Sequence, residues 1–141
     1  MTSQQAPDSG LARKRVMVID DSNTIRRSAE IFLTQAGWDV ILAENGFDAL
    51  AKVEEQRPDV IFVDIIMPRL DGYQTCALIK KSKRHRATPV VMLSSKDTMF
   101  DRARGQMVGS NDHLTKPFTK ENLLRAVETH TARHHSAKEA T

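Results

Sequence analysis

Val16-Met-Val-Ile-Asp-Asp21 is a run of four apolar residues that ends in two carboxylates. Three more apolar runs follow, Val40-Ile-Leu42, Val60-Ile-Phe-Val63 and Val90-Val-Met-Leu93, and a more polar one is Asp112-His-Leu-Thr115. Runs that are β-branched and apolar on both faces are typical of strands in a parallel sheet that is covered on both sides. The sequence therefore predicts a covered parallel sheet of five strands.

In the segments between these runs, apolar residues recur at the spacing of a helix. Examples are Ile25, Ala29, Phe32 and Leu33, then Phe47, Leu50 and Ala51, and later Leu123, Leu124 and Val127. Strands that alternate with helices predict an α/β protein, here a (βα)5 doubly wound five-stranded parallel sheet of the flavodoxin-like type. The last helix is expected to run from about residue 120 to residue 130.

Residues with a side-chain oxygen stand where helices are expected to begin, at Asn23, Asn45, Ser95 and Thr119. Such an oxygen can accept a hydrogen bond from the free N–H groups of a first helical turn. Gly37 is expected to end the first helix.

Length and composition fit one domain, with no room for a second, effector domain. The chain has 141 residues, of which 40% are hydrophobic and 28% charged. No apolar run approaches the roughly 20 residues that cross a bilayer, and the first residues lack the features of a secretory signal. We therefore expect a cytoplasmic, monomeric protein without membrane insertion. Its folded domain is expected at residues 13–133, between flexible tails at residues 1–12 and 134–141.

Basic residues give the chain a formal net charge of +3. They are spread over many segments, with local groups at Arg13-Lys-Arg15 and Lys80-Lys-Ser-Lys-Arg84. Solvated helix ends and loops account for such groups, so no nucleic-acid partner is expected. The single cysteine, Cys76, is expected to be a buried packing residue rather than a nucleophile.

Polar side chains follow the predicted strands at one end, at Asp20-Asp21, Asp64, Ser94-Ser95 and Lys116-Pro117. Because ligands of open α/β sheets bind beyond the carboxyl ends of the strands, these side chains are expected to converge on one rim. Each residue by itself also has a structural explanation, since an Asp or Ser can cap a helix and a Lys can be a solvated surface charge. Their shared edge favours a functional site.

The three carboxylates of this rim would repel one another without a countercharge. Oxygen ligands with no nearby His or Cys favour a hard cation, and Mg²⁺ is the natural choice because it keeps waters that phosphate oxygens can replace. A carboxylate beside such an ion, here Asp64, can act as a nucleophile toward phosphorus. Lys116 and the Ser94 hydroxyl would then meet the phosphate oxygens.

Four motifs resemble the receiver family of two-component response regulators. They are Val18-Ile-Asp-Asp-Ser22, Val63-Asp-Ile-Ile-Met-Pro-Arg-Leu-Asp-Gly72, Met92-Leu-Ser-Ser95 and Leu114-Thr-Lys-Pro-Phe118. The resemblance extends from about residue 15 to residue 130, which is nearly the whole chain. It implies a signalling switch rather than an enzyme. Such a switch catalyses only its own phosphorylation and dephosphorylation.

The resemblance implies a role for each residue of the rim. Asp64 would be the phosphoacceptor, and the donor would be a histidine kinase or its phosphotransfer domain. Asp20, Asp21, Asp64 and the backbone carbonyl of Ile66 would bind Mg²⁺. Ser94 would be the switch hydroxyl, Lys116 would contact the phosphate, and the peptide bond between Lys116 and Pro117 would be cis.

Output is expected from the surface formed by the fourth helix, the fifth strand and the fifth helix. Within the family, the stretches at residues 67–80 and 93–97 most resemble a single-domain regulator of type IV pili, which implies pilus or motility proteins as downstream partners. The chain departs from the family at His113, where a switch Tyr or Phe is usual. His113 is expected either to replace that aromatic ring or to be a partly exposed strand residue.

The alternative from another class is a Mg²⁺-dependent phosphohydrolase of the haloacid dehalogenase type. That family has an Asp-x-Asp motif after its first strand, which Asp20-Asp-Ser22 lacks. A nucleotide- or flavin-binding module is disfavoured because the chain has neither a G-x-x-x-x-G-K-[ST] loop nor a G-x-G-x-x-G turn. An intact acidic rim also disfavours a scaffold that is never phosphorylated.

Overall fold

The computed structural model describes residues 13–96 and 98–140, with side chains as far as Ala132. Its strands are Arg15–Ile19 (β1), Asp39–Ala43 (β2), Val60–Asp64 (β3), Val90–Ser94 (β4) and Asp112–Thr115 (β5). Its helices are Asn23–Gln35 (α1), Gly46–Gln56 (α2), Gly72–Lys81 (α3), Met99–Met107 (α4) and Lys120–Ala140 (α5). Strands and helices alternate as the sequence predicts.

All five strands are parallel and lie in the order β2-β1-β3-β4-β5. The predicted doubly wound fold is therefore confirmed. The central strands β3 and β4 are buried along their whole length, whereas β5 is an edge strand that stays half exposed. That exposure explains why the sequence of β5 is the most polar of the five.

Two hydrophobic clusters cover the two faces of the sheet. Residues of α2 and α3 pack on one face, among them Ala49, Val53, Cys76 and Ile79. Residues of α1 and α5 pack on the other, namely Ala29, Leu33, Leu123 and Val127. Cys76 is fully buried, and burial raises the pKa of its thiol to about 11, so it is the packing residue that the sequence predicts.

Two of the four predicted helix caps are right and two are wrong. Asn45 accepts from the N–H of Asp48 at 2.8 Å, and Thr119 accepts from the N–H of Asn122 at 3.0 Å. The cap of α1 is Ser22 rather than Asn23, because Ser22 keeps an extended backbone and its hydroxyl accepts from the N–H of Ile25. The cap of α4 is Thr98 rather than Ser95, since a loop after β4 delays the helix.

Helix ends also differ in part from the expectation. Gly37 follows α1 with a φ of 87°, a left-handed conformation that ends the helix as predicted. α5 extends to Ala140 instead of ending near residue 130, so most of the predicted C-terminal tail is helical. Its last turns contain Ala, Lys and Glu and no Gly or Pro, a composition that favours helix. The predicted tail at residues 1–12 lies outside the described residues.

None of the helices in the described part of the chain is both long enough and apolar enough to span a membrane.

Candidate functional site

Three carboxylates meet at the carboxyl edge of the sheet. Asp20 directly follows β1 and is fully buried, Asp64 is the last residue of β3 and is 5% exposed, and Asp21 is exposed. One oxygen atom from each of the three lies within 4.8 Å of the others. The structure therefore brings together the three acidic residues that the sequence singles out.

Backbone contacts fix the position of Asp20. Its Oδ1 accepts a hydrogen bond from the N–H of Ser22 at 2.9 Å, at the start of α1. Its carbonyl oxygen accepts from the guanidinium of Arg26 at 2.6 Å. Its N–H donates to the carbonyl of Ala43, the last residue of β2. The sequence analysis missed Arg26, although its place one turn after Ser22 on α1 is a signal that it can reach back.

A glycine allows α3 to begin against the main chain of Asp64. A Cβ at Gly72 would stand 2.3 Å from the carbonyl oxygen of Asp64 and 2.8 Å from the Cα of Ile65. No side chain fits at that distance. The N–H of Gly72 donates to the carbonyl of Ile65 at 2.9 Å, which closes the loop after β3.

α3 begins with a capping box that sequence reasoning also missed. Asp71 accepts from the N–H of Gln74, and the Gln74 side chain accepts from the N–H of Asp71. The spacing of an acidic residue and a glutamine three positions later is the sequence signal for this motif.

Lys116 reaches across the edge from the end of β5. Its Nζ lies 3.0 Å from Oδ1 of Asp64 and 3.2 Å from Oδ2 of Asp20. Burial opposes the charge of Lys116, but the bond to Asp64 and the nearby charge of Asp20 outweigh it, so the pKa of Lys116 is raised. The N–H of Lys116 donates to the carbonyl of Ser94, and the peptide bond to Pro117 is cis, the isomer that the resemblance implies.

The surroundings of Asp64 change the pKa of its carboxyl. Burial raises the pKa of its carboxyl to about 6, and the charges of Asp20 and Asp21 act in the same direction. The hydrogen bond from Lys116 opposes them without cancelling them. Three carboxylates with one ammonium leave an excess of negative charge, so the site suits a cation.

The donor set fits a hard divalent ion, since only oxygen atoms converge beside the ammonium. Ile66 lies two residues after Asp64, in the loop that follows β3, and its side chain is 73% exposed. The fold brings Asp20, Asp21 and Asp64 together.

Ser94 ends β4 and is buried, one residue beyond the pairing of Leu93 with Asp64. Its Oγ accepts a hydrogen bond from the N–H of Lys96 at 3.0 Å, so the hydroxyl is tied to the loop that leads toward α4. Ser94, Lys96 and Arg104 also line a cleft of about 380 Å³, which Ile65 and Ile66 of the loop after β3 border as well. A ligand that displaces the hydroxyl from its bond to Lys96 would therefore alter this loop.

A contact between α3 and α4 borders the same cleft. The Tyr73 hydroxyl donates to Oδ1 of Asp101 at 3.3 Å, and the guanidinium of Arg104 lies 4.4 Å from the centre of the Tyr73 ring. Burial, with the neighbouring Asp101, raises the pKa of Tyr73. The contact joins residues 28 positions apart, which is why the sequence analysis missed it.

His113 lies on β5 opposite Met92 and is half buried. Its Nε2 is buried and has no hydrogen-bond partner among the described residues. A cavity of about 130 Å³ beside it is lined in part by Arg102, Gly105 and Asp112. The ring thus has space on the side of α4, and its half-buried place on β5 is compatible with either expectation for His113.

Comparison with known families identifies the chain. Residues 16–128 match the response regulator receiver domain. The chain belongs to this family, whose members are signalling switches, and the phosphohydrolase alternative is thereby set aside.

Two known relatives extend the comparison. The chain is 63% identical over 116 residues to protein PilG of Pseudomonas aeruginosa, a match that covers 82% of this chain and 86% of PilG. It is 36% identical over 115 residues to the alkaline phosphatase synthesis transcriptional regulatory protein PhoP of Bacillus subtilis. That second match covers 82% of this chain and 47% of PhoP, so the chain spans about half of that relative.

Solved structures agree with this assignment. Chemotaxis protein CheY4 of Vibrio cholerae superimposes with a TM-score of 0.82 at 33% identity, covering 84% of this chain and 99% of that one. The receiver domain of a sensor histidine kinase from Pseudomonas aeruginosa, solved with a magnesium ion coordinated in its active-site cleft, gives a TM-score of 0.79 at 29% identity. That match covers 86% of this chain and 99% of the receiver domain.

Proposed function

We propose that the chain is a phosphorylation switch of a chemotaxis-like two-component phosphorelay, and that Asp64 is its phosphoacceptor. The donor is a histidine kinase or its phosphotransfer domain. An oxygen of the Asp64 carboxylate forms the new bond to phosphorus while the bond from phosphorus to the donor's imidazole nitrogen breaks and leaves its electron pair on that nitrogen.

The observation that carries this proposal is the arrangement around Asp64. The Oδ1 of Asp64 lies 3.0 Å from the Nζ of Lys116, and its carboxylate lies beside those of Asp20 and Asp21. At about 4 Å and an effective dielectric of about 20, an ammonium attracts one phosphate charge by about 4 kcal/mol before desolvation. Lys116 can therefore exchange its bond to the carboxylate for one to the phosphoryl group.

Mg²⁺ is the cofactor that suits this arrangement. The ion would be held by Asp20, Asp21, Asp64 and the backbone carbonyl of Ile66. The negative charge of the three carboxylates favours a cation at this position. When bound, the ion supplies charge neutralisation between the carboxylate and the incoming phosphoryl oxygens. The magnesium described for the similar histidine kinase receiver domain supports this choice.

Ser94 is proposed as the residue that senses the phosphoryl group. Its hydroxyl accepts from the N–H of Lys96, so a bond to phosphate would release the loop before α4. His113 is proposed to fill the space that opens, because its ring already borders the cavity beside α4. The output surface is then formed by α4, β5 and α5.

Similarity to PilG supports control of type IV pilus twitching motility as the biological role. The partners in that role are downstream pilus or motility proteins, and the protein acts in the cytoplasm as a monomer.

Incubation with acetyl phosphate and Mg²⁺ tests the assignment directly. We expect one added phosphoryl group by intact mass, dependent on Mg²⁺, and none in Asp64→Asn. Asp48→Asn is the matched control, because it removes a carboxylate on α2 that pairs with Lys52 outside the site. Equal labelling of wild type and Asp64→Asn would refute the assignment.

A further inference from the structure

Cations gather at the edge of the sheet opposite Asp64. We define the basic edge as residues 13–15, 36–39, 54–59, 80–90 and 108–112, the segments that lead into the five strands. It contains nine Lys and Arg and five Asp and Glu, whereas the rest of the chain contains twelve and thirteen. The positive net charge of the chain therefore resides at this edge.

Three of the five carboxylates of the basic edge have partners within it, and one of them, Asp59, accepts a hydrogen bond from the N–H of Arg15 at 2.8 Å. Asp39 lies 3.3 Å from the Arg13 guanidinium, and Glu54 pairs with Arg84 and with His85. By contrast, four exposed cations have no carboxylate partner among the described residues: Arg57, Lys81, Lys83 and Arg86. Their charge is available to a ligand.

The loop after α3 is held in place without these cations. The Nζ of Lys80 donates to the carbonyls of Arg86 and Thr88 and to the side chain of Asn111, at 2.7–3.1 Å. Burial lowers the pKa of Lys80, in keeping with this internal role. The buried ring of His85 lies 2.7 Å from Glu54 and ties the loop to α2. The charges are thus presented on an ordered frame, which reduces the entropy lost on binding.

The chemistry of the edge favours a lipid surface. None of the exposed large hydrophobic side chains lies in its five segments, whereas protein interfaces have an apolar or aromatic core poor in Lys. Trp38, the aromatic residue of these segments, is half buried under the Lys14 ammonium at 5.1 Å and is not free to stack on a base. A negative bilayer surface requires only exposed cations.

The direction of the charge separation supports the same partner. The carboxylates of the phosphorylation edge lie about 17 Å away, the length of a five-residue strand. A planar anionic surface attracts the basic edge and repels the acidic one, so it selects a single orientation. We propose that the basic edge adsorbs reversibly to an anionic lipid bilayer, which leaves Asp64 facing away from the membrane and open to its phosphodonor.

Sedimentation with vesicles tests this proposal. Vesicles of phosphatidylcholine with about one third phosphatidylglycerol should bind the full chain, pure phosphatidylcholine should not, and added salt should weaken binding. Lys83→Glu with Arg86→Glu should lower the partition coefficient by about 10-fold or more, since each basic residue near the surface contributes.

The matched control is Arg27→Glu with Arg125→Glu, which makes the same change in net charge on α1 and α5. It should bind the anionic vesicles more strongly than the basic-edge variant does, and both variants should still be phosphorylated by acetyl phosphate. Equal loss of binding in the two variants would overturn the proposal, because net charge alone would then account for it. Tighter binding to a DNA duplex or a polyglutamate peptide than to the vesicles at the same salt would also overturn it.

Discussion

The carboxyl edge of the sheet and helix α4 are held in very different ways. Asp20 and Asp64 are 0% and 5% exposed, and the main chain of neighbouring loops fixes both. α4 buries only Gly105, and its Met99, Phe100 and Met107 are 71–87% exposed. One region is rigid where atoms must be placed, and the other is only lightly attached.

This difference separates the chemistry from the response. A phosphoryl group needs a carboxylate and an ammonium at fixed distances, which buried strand ends provide. A helix with few buried contacts can shift at a small cost in free energy, so a local change at Ser94 can alter its position. Tyr73 of α3 contacts α4 through a hydrogen bond to Asp101 and a cation–π contact with Arg104.

The largest expected effect concerns the affinity of the rigid edge for Mg²⁺. Asp21→Ala should weaken Mg²⁺ binding by about 100-fold, and Asp20→Ala by at least about 10-fold, since each removes negative charge beside the ion. Calorimetric titration is the suitable measurement. Tryptophan fluorescence is less suitable, because Trp38 lies at the edge of the sheet opposite the Mg²⁺ site. Asp48→Asn is the control and should keep the affinity of the wild type for Mg²⁺. Unchanged affinity in Asp20→Ala and Asp21→Ala would show that Mg²⁺ binds elsewhere.

A pair of glycine substitutions compares the packing of the two regions. Gly72→Ala should lower the free energy of unfolding by about 1–3 kcal/mol or more, because its Cβ would meet main-chain atoms of Asp64 and Ile65. Gly105→Ala should change it by less than about 1 kcal/mol, since helix propensity improves and the contact is with the rotatable hydroxyl of Ser110. Urea denaturation of both variants measures the difference. Equal destabilisation would contradict the contrast.

The raised pKa of Asp64 predicts how stability depends on pH. The folded state binds the proton more tightly than the unfolded state, so this carboxyl's favourable contribution is complete below pH 3.8 and is lost as the pH rises through about 6. Without divalent ions, Asp64→Asn should therefore be more stable than wild type at pH 7 by about 1–2 kcal/mol, a value reduced for solvent at the open side of the site.

Thermal unfolding of the two proteins at pH 4 and pH 7 measures this effect. The advantage of Asp64→Asn should shrink at pH 4 and on addition of Mg²⁺. An advantage that is larger at pH 4 than at pH 7 would show that the sign is wrong.

The smallest expected effect concerns His113 beside α4. Its Nε2 is buried without a hydrogen-bond partner among the described residues, and its ring borders a cavity of about 130 Å³ on the side of α4. His113→Ala should therefore weaken the phosphorylated state by a few-fold, because a methyl group cannot fill the space that opens when the Ser94 hydroxyl turns to the phosphoryl group. His113→Tyr should keep switching, because its ring can fill the same space. Identical NMR chemical shifts of the His113 ring with and without a phosphate mimic would exclude the coupling.

Local patterns predicted most of the fold and the carboxylates of the site. Runs of β-branched residues indicate the strands. Site residues such as Asp64 could be predicted because they come directly after those runs in the sequence. The cap at Ser22 was missed because neighbouring Asn23 has an equally suitable oxygen, and only the backbone conformation distinguishes them. The contact of Tyr73 with Asp101 and the close approach of Gly72 to the Asp64 carbonyl depend on how separate segments pack, and they leave no periodic signal.

Amide hydrogen exchange with and without phosphorylation tests most directly whether chemistry at the rigid edge produces its response in α4. With acetyl phosphate and Mg²⁺, we expect exchange to change in residues 98–107 and 112–115, with α1 and α2 unchanged, and Asp64→Asn should show no change at all. Changes confined to α1 and α2 in the phosphorylated protein would contradict the account.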